Sequence, residues 1–126
     1  MMAKPHMPRA LQEALVSLRR YGVDESAIPM VLAPEMCRYL SSAQRAVLGG
    51  DFWTVIGDDL ELAYQPWAMR AKEPTETWDR YVAESVAAAR SALRARAEYF
   101  RGQTVFVAFT SCSEDEHRDL DTINSL

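Results

Sequence analysis

Two groupings in the chain carry side chains able to act as acids, bases or metal ligands. Asp58, Asp59 and Glu61 stand nearly side by side, close enough for general acid chemistry or cation binding. The run Glu114-Asp115-Glu116-His117-Arg118-Asp119 sets one of the two histidines among carboxylates, the ligand types a divalent metal takes. His117 nevertheless lacks an H-x-x-x-H or H-E-x-x-H partner and has Arg118 in its midst, so a solvated acidic tail is the plainer reading. Asp58 and Asp59 follow Gly57 and read as turn residues. No nucleophile elbow surrounds Ser111, Cys112 or Cys37, and G-x-S-x-G is absent. Gly49-Gly50 reads as a helix stop before a strand, since phosphate cradles put their glycines ahead of a helix. No cofactor is expected, and a small metal-dependent enzyme on Asp58, Asp59 and His117 is left as an alternative.

Charge is more informative than any motif. Residues 1–50 carry +2, residues 51–79 −5, residues 80–112 +3 and residues 113–126 −4, so the net −4 hides a polarised molecule. The −5 block holds Asp51, Asp58, Asp59, Glu61, Glu73, Glu76 and Asp79 together with Trp53, Trp67 and Trp78. Carboxylates mixed with exposed aromatics suit capture of a basic protein, charge speeding encounter and aromatic anchors supplying affinity. Trp78 heads a helical apolar stripe and reads as core, whereas Trp67, after Pro66 in a predicted loop, reads as the exposed anchor. Arg80, Arg90, Arg94 and Arg101 fall within about 80° on the long predicted helix. Glu98 shares that arc, which favours pairing on a solvated face over phosphate binding. Arg96 points to the apolar side, its stem covering the core edge or its head reaching an acid elsewhere. Nucleic-acid binding is disfavoured by the overall sign of charge.

The elements that must position these groups follow from periodicity. Leu11, Ala14, Leu15, Leu18 and Tyr21 predict a helix over 9–21 closed by Gly22. Residues 23–29 read as a connector, and Pro34 opens a second helix carrying Met36, Leu40, Ala43 and Val47 up to Gly49-Gly50. Phe52–Ile56 and Leu60–Gln65, around Gly57-Asp58-Asp59, predict a hairpin with Leu60, Leu62 and Tyr64 facing the core. A long helix over 76–100 carries Trp78, Val82, Val86, Ala89, Leu93 and Phe100 on one stripe. Thr104–Thr110, apolar on both faces, predicts a central strand. The expected fold is α+β: a three-stranded, mostly antiparallel sheet with two short N-terminal helices and one long helix packed on it, order ααββαβ. Residues 1–112 form the domain and 113–126 an acidic tail, where Ser113 and Glu116 have the form of a capping box.

The chain has 126 residues, 48% of them apolar and 25% charged, which suits one domain with a real core. Cys37 and Cys112 lie far apart in sequence with no C-x-x-C spacing and are expected as reduced, buried thiols. No apolar run is long enough to span a membrane, and the opening Met1–Arg9 reads as no secretory signal, so the cytosol is expected.

With no catalytic set, this size, and the segment Asp51-Phe52-Trp53-Thr54-Val55-Ile56-Gly57-Asp58-Asp59-Leu60-Glu61-Leu62-Ala63-Tyr64-Gln65-Pro66-Trp67, the chain resembles the small immunity proteins of bacterial contact-dependent growth inhibition and related polymorphic toxin systems. The resemblance implies a non-enzymatic cytoplasmic inhibitor whose partner is the toxin domain of a delivered effector, often a basic nuclease, with the active site blocked. Those proteins share no diagnostic motif, so it transfers no residue. The surface expected to meet the toxin, from charge and aromatics alone, is Asp51, Trp53, Asp58, Asp59, Glu61, Trp67, Glu73 and Glu76. A secretion chaperone or adaptor holding a client protein is the other reading, and homo-oligomerisation is left open.

Overall fold

The structure is a computed structural model that describes residues 5–124. The apolar spacing that predicts one helix over 9–21 is divided among three elements. Helix α1 (Arg9–Ala14) ends where Leu15 turns extended, strand β1 (Val16–Ser17) follows, and a 3-10 turn over Arg19–Tyr21 closes at Gly22 in the left-handed region. Leu11 and Leu18 are both fully buried, yet in separate clusters. Adjacent Phe52 and Trp53 of one strand belong one to each cluster, and neighbours in a strand point to opposite faces. The N-terminal segment therefore crosses the sheet edge and covers both sides, which a helical period cannot distinguish from one continuous stripe.

The expected connector contains strand β2 (Ser26–Pro29), and helix α2 (Ala33–Ser42) is shorter than predicted. Gln44, at φ 56°, takes the left-handed turn that redirects the chain. Val47 and Gly49-Gly50 belong to strand β3 (Ala46–Ile56), so the glycines do not stop a helix. Gly50 is needed because the Trp67 ring lies over it, where a Cβ would collide with the ring carbons.

The predicted hairpin is present and longer: β3 pairs with β4 (Asp59–Ala68) across Gly57-Asp58, with Gly57 at φ 61°. Its register shifts between Gly50 and Phe52, leaving residues 64–66 opposite Asp51. Pro66 does not close the strand, because β4 is outermost and a missing N–H there costs no ladder bond. Helix α3 (Trp78–Tyr99) matches expectation, with Thr77 Oγ1 accepting from the Arg80 N–H at 3.2 Å as its cap and every residue of the predicted stripe buried. Strand β5 (Val105–Cys112) lies between β2 and β3.

The sheet thus has five strands in the order β1-β2-β5-β3-β4, all pairs antiparallel, instead of three. Among the described residues the element order is αββαββαβα, because the added strands are only two and four residues long and carry no alternating pattern. One face packs against α1, α2 and α3 around Phe52, Val107 and Leu93. The other is covered only by residues around Leu18 and Tyr21, over Trp53 and Ala108. Residues 114–124 form helix α4, opened by a reciprocal box in which Ser113 N–H donates to Glu116 Oε1 at 2.9 Å and Glu116 N–H to Ser113 Oγ at 3.2 Å.

Candidate functional site

The hairpin positions the acidic residues, and its length separates them. Asp58, Asp59 and Glu61 sit at its tip, whereas Glu73 and Glu76 follow Ala68 at the opposite end, about 30 Å away at the rise of an extended strand. These two sets are not one cluster.

At the tip, Asp58 and Glu61 are exposed and make no side-chain hydrogen bond or ion pair with any described residue. Asp59 is engaged: Arg20 bridges to it, and the Tyr21 hydroxyl donates to it at 3.3 Å while accepting the Leu60 N–H at 2.8 Å. A shallow cleft of about 250 Å³ opens beside them, with Val16, Val55, Leu60 and Phe106 as its apolar wall. Asp51 lies farther along β3 on the open face, directly across from Ala108 and half-buried. Trp53 shares that face but is 5% exposed, its ring 5.6 Å from that of Tyr21 and its indole N–H without a partner.

The predicted faces of β4 need correction. Leu60 and Leu62 do face an apolar cluster, but it is the small one on the open face, while Ala63 and Trp67 face the helices. Trp67 is a strand residue with its ring against Phe52 and Phe109, not an exposed loop anchor. Tyr64, expected in the core, is 86% exposed, in the stretch that bulges opposite Asp51. Val55 and Ile56 are exposed with it. The exposed apolar residues beside the free carboxylates at the tip are thus Val55 and Ile56, with Tyr64 exposed farther along β4, and sequence reasoning missed all three. For Val55 and Ile56 the signal was their adjacency, which puts one apolar residue on each face of β3.

At the far end Glu76 is a clasp. Arg70 grips both its oxygens, at 2.8 and 3.1 Å, and the Glu73 N–H adds a third bond at 2.8 Å. These bonds, Arg70 first, lower its pKa to about 2. Glu84 also bonds Arg70, which with Arg80 lowers its pKa, so one cation ties the loop to α3. Glu73 is exposed.

The remaining chemistry-bearing residues lie in packing contacts and backbone hydrogen bonds. His117 packs its ring against Trp78 and Tyr81, at centroid distances of 5.4 and 6.0 Å. Trp78 donates to the Gln44 carbonyl, which precedes β3, so His117 lies at the end of the sheet remote from Asp58 and Asp59. No group of three His, Cys, Asp or Glu among the described residues could hold a metal ion. Cys37 and Cys112 are free and buried, and burial raises both thiol pKa values. Arg96 reaches backbone rather than an acid, donating to the Gln65 carbonyl at 3.1 Å and the Pro66 carbonyl at 3.1 Å. No described helix is long and apolar enough to cross a membrane.

A family model described as Immunity protein 40 matches residues 17–110, from β1 through nearly all of β5. No curated protein and no solved structure matches the chain.

Proposed function

The chain belongs to the immunity protein 40 family, and from that premise we propose that it binds a cognate toxin domain and neutralises it by covering the active site. It does so as a binding protein in the cytoplasm, without chemistry or cofactor of its own. The observation that carries the choice of surface is the unpaired state of Asp58 and Glu61 beside exposed Val55 and Ile56, with Tyr64 exposed farther along β4 opposite Asp51. Free carboxylates around apolar side chains give a partner both electrostatic guidance and area to bury. Asp51 and Asp59 extend this surface along the open face, with Trp53 beneath as its rigid support. Glu73, Glu76 and Trp67 stand outside the central patch, where Trp67 packs the hairpin against the helices and Glu76 ties down the loop that follows. An acidic surface of this kind fits a basic toxin, and a nuclease, whose site must attract phosphate, is the class it fits best.

The test is co-expression of the chain with the toxin domain encoded beside it. A stable equimolar complex and restored growth are expected. Separate elution of the two proteins, with cells dying as fast as without the chain, would overturn the function. Tyr64→Ala tests the surface: intact protection and affinity in that variant would move the interface elsewhere.

A further inference from the structure

Of the twelve arginines in the chain, Arg90 and Arg94 alone make no side-chain hydrogen bond or ion pair with a described residue. The other two of the predicted basic stripe are paired, Arg80 with Glu84 and Arg101 with Glu98. Arg90 and Arg94 flank one cleft of about 280 Å³, whose apolar surface comes from Met30, Ala33, Pro34, Leu93 and Ala97. Two unneutralised guanidinium groups beside exposed apolar surface call for an occupant with carboxylates.

The chain itself supplies one. At about 100° per residue, Asp79, Ala83, Ala87, Arg90, Arg94 and Ala97 share an arc of about 80° on α3, and all six are exposed. This face is acidic at its N-terminal end, where Asp79 also lacks a side-chain partner and Glu114 and Asp115 lie nearby. It is small at the middle and basic at the C-terminal end. Turned end for end about a two-fold axis near Ala87, the face meets its own complement. Asp79 of one copy comes opposite Arg94 of the other, and the reverse pair forms at the same time.

We propose that this face of α3 is a homodimer interface, with the two helices antiparallel and the cleft beside Arg90 and Arg94 receiving the Pro74–Asp79 end of the second copy. Ala83 and Ala87 let the helices approach closely, and the reciprocal charge pairs set direction and register. The interface lies on the side of the sheet opposite the open face, so dimerisation leaves the toxin-facing surface free and does not depend on the toxin reading.

Sedimentation equilibrium of the full chain over a wide concentration range tests this. A mass approaching twice the 14.2 kDa of the chain is expected, weakening with salt. Asp79→Arg and Arg94→Asp should each raise the dimer dissociation constant about tenfold or more, because each puts like charges together twice in a symmetric interface, and the double variant should restore it. Ala87→Cys, near the axis, should crosslink to its counterpart with a short bis-maleimide. A single-chain mass at every concentration overturns the proposal, as does a dimer indifferent to both reversals or one that fails to crosslink through residue 87.

Discussion

Reversal of the two free carboxylates at the hairpin tip, Asp58→Lys with Glu61→Lys, gives the sharpest reading of the proposed surface. Neither side chain has a partner to lose, whereas reversing Asp59 would also break its contacts with Arg20 and Tyr21. The pair of substitutions changes the local charge by four. Taking each as facing one partner charge at about 7 Å in water, the Coulomb energy is about 0.6 kcal/mol before screening and about 0.25 kcal/mol after it at 0.15 M salt. Four such changes amount to about 1 kcal/mol, or a fivefold slower association, rising to about 2 kcal/mol and roughly twenty-five-fold at 0.01 M. Stopped-flow association of the variant with the toxin domain, as a function of ionic strength, measures this directly. The dissociation rate should change less, since exposed charge acts on encounter more than on the docked complex. An association rate equal to that of the unaltered chain at both salt concentrations would refute the assignment of this end of the hairpin.

Ser85, fully buried, donates to the Val82 carbonyl and accepts the Val47 N–H at 2.9 Å. Ser85→Ala should therefore cost about 1–3 kcal/mol by orphaning that N–H, read as a lower urea midpoint at constant slope. Gly50→Ala should destabilise by about 1–3 kcal/mol through overpacking against the Trp67 ring, and the indole fluorescence should report its displacement in the folded state. Acid titration should reveal the Arg70 clasp. A carboxylate whose pKa is lower in the folded state stabilises above its ordinary value and ceases to do so as pH falls through the folded value. For Glu76 that window runs from the ordinary 4.5 down to about 2, and Glu76→Gln should flatten the loss of melting temperature there.

The long helix, the hairpin and the central strand were legible because each carries a period that one environment enforces. The stripe from Trp78 to Phe100 faces one core, and β5 is apolar on both sides because both sides are covered. The short strands were not legible, since two residues of β1 and four of β2 gain their conformation from pairing with neighbours remote in sequence. Helical spacing over 9–21 misled because Leu11 and Leu18 satisfy it while serving opposite faces. The acidic block was visible as composition, yet its division between two ends of a hairpin depends on the strands running straight through Gly49-Gly50 and Pro66. Trp67 and Tyr64 exchanged their expected environments because β4 continues through Pro66 and the row of β4 that meets the helices is that of Ala63 and Trp67, not that of Leu60, Leu62 and Tyr64.

The position of β5 also governs when this molecule can exist during its synthesis. Strands β2 and β3 never touch each other in the sheet; each is paired through β5, which follows the other four described strands in the chain. An N-terminal fragment can zip the β3–β4 hairpin and wind its helices, but the sheet stays in two unjoined pieces until Cys112 has emerged. The contacts that join those two pieces therefore close after the hairpin and its packing against the long helix. Premature termination within the last strand should leave no partial activity, and the interval between translation and competence becomes a property set by chain topology rather than by the exposed surface.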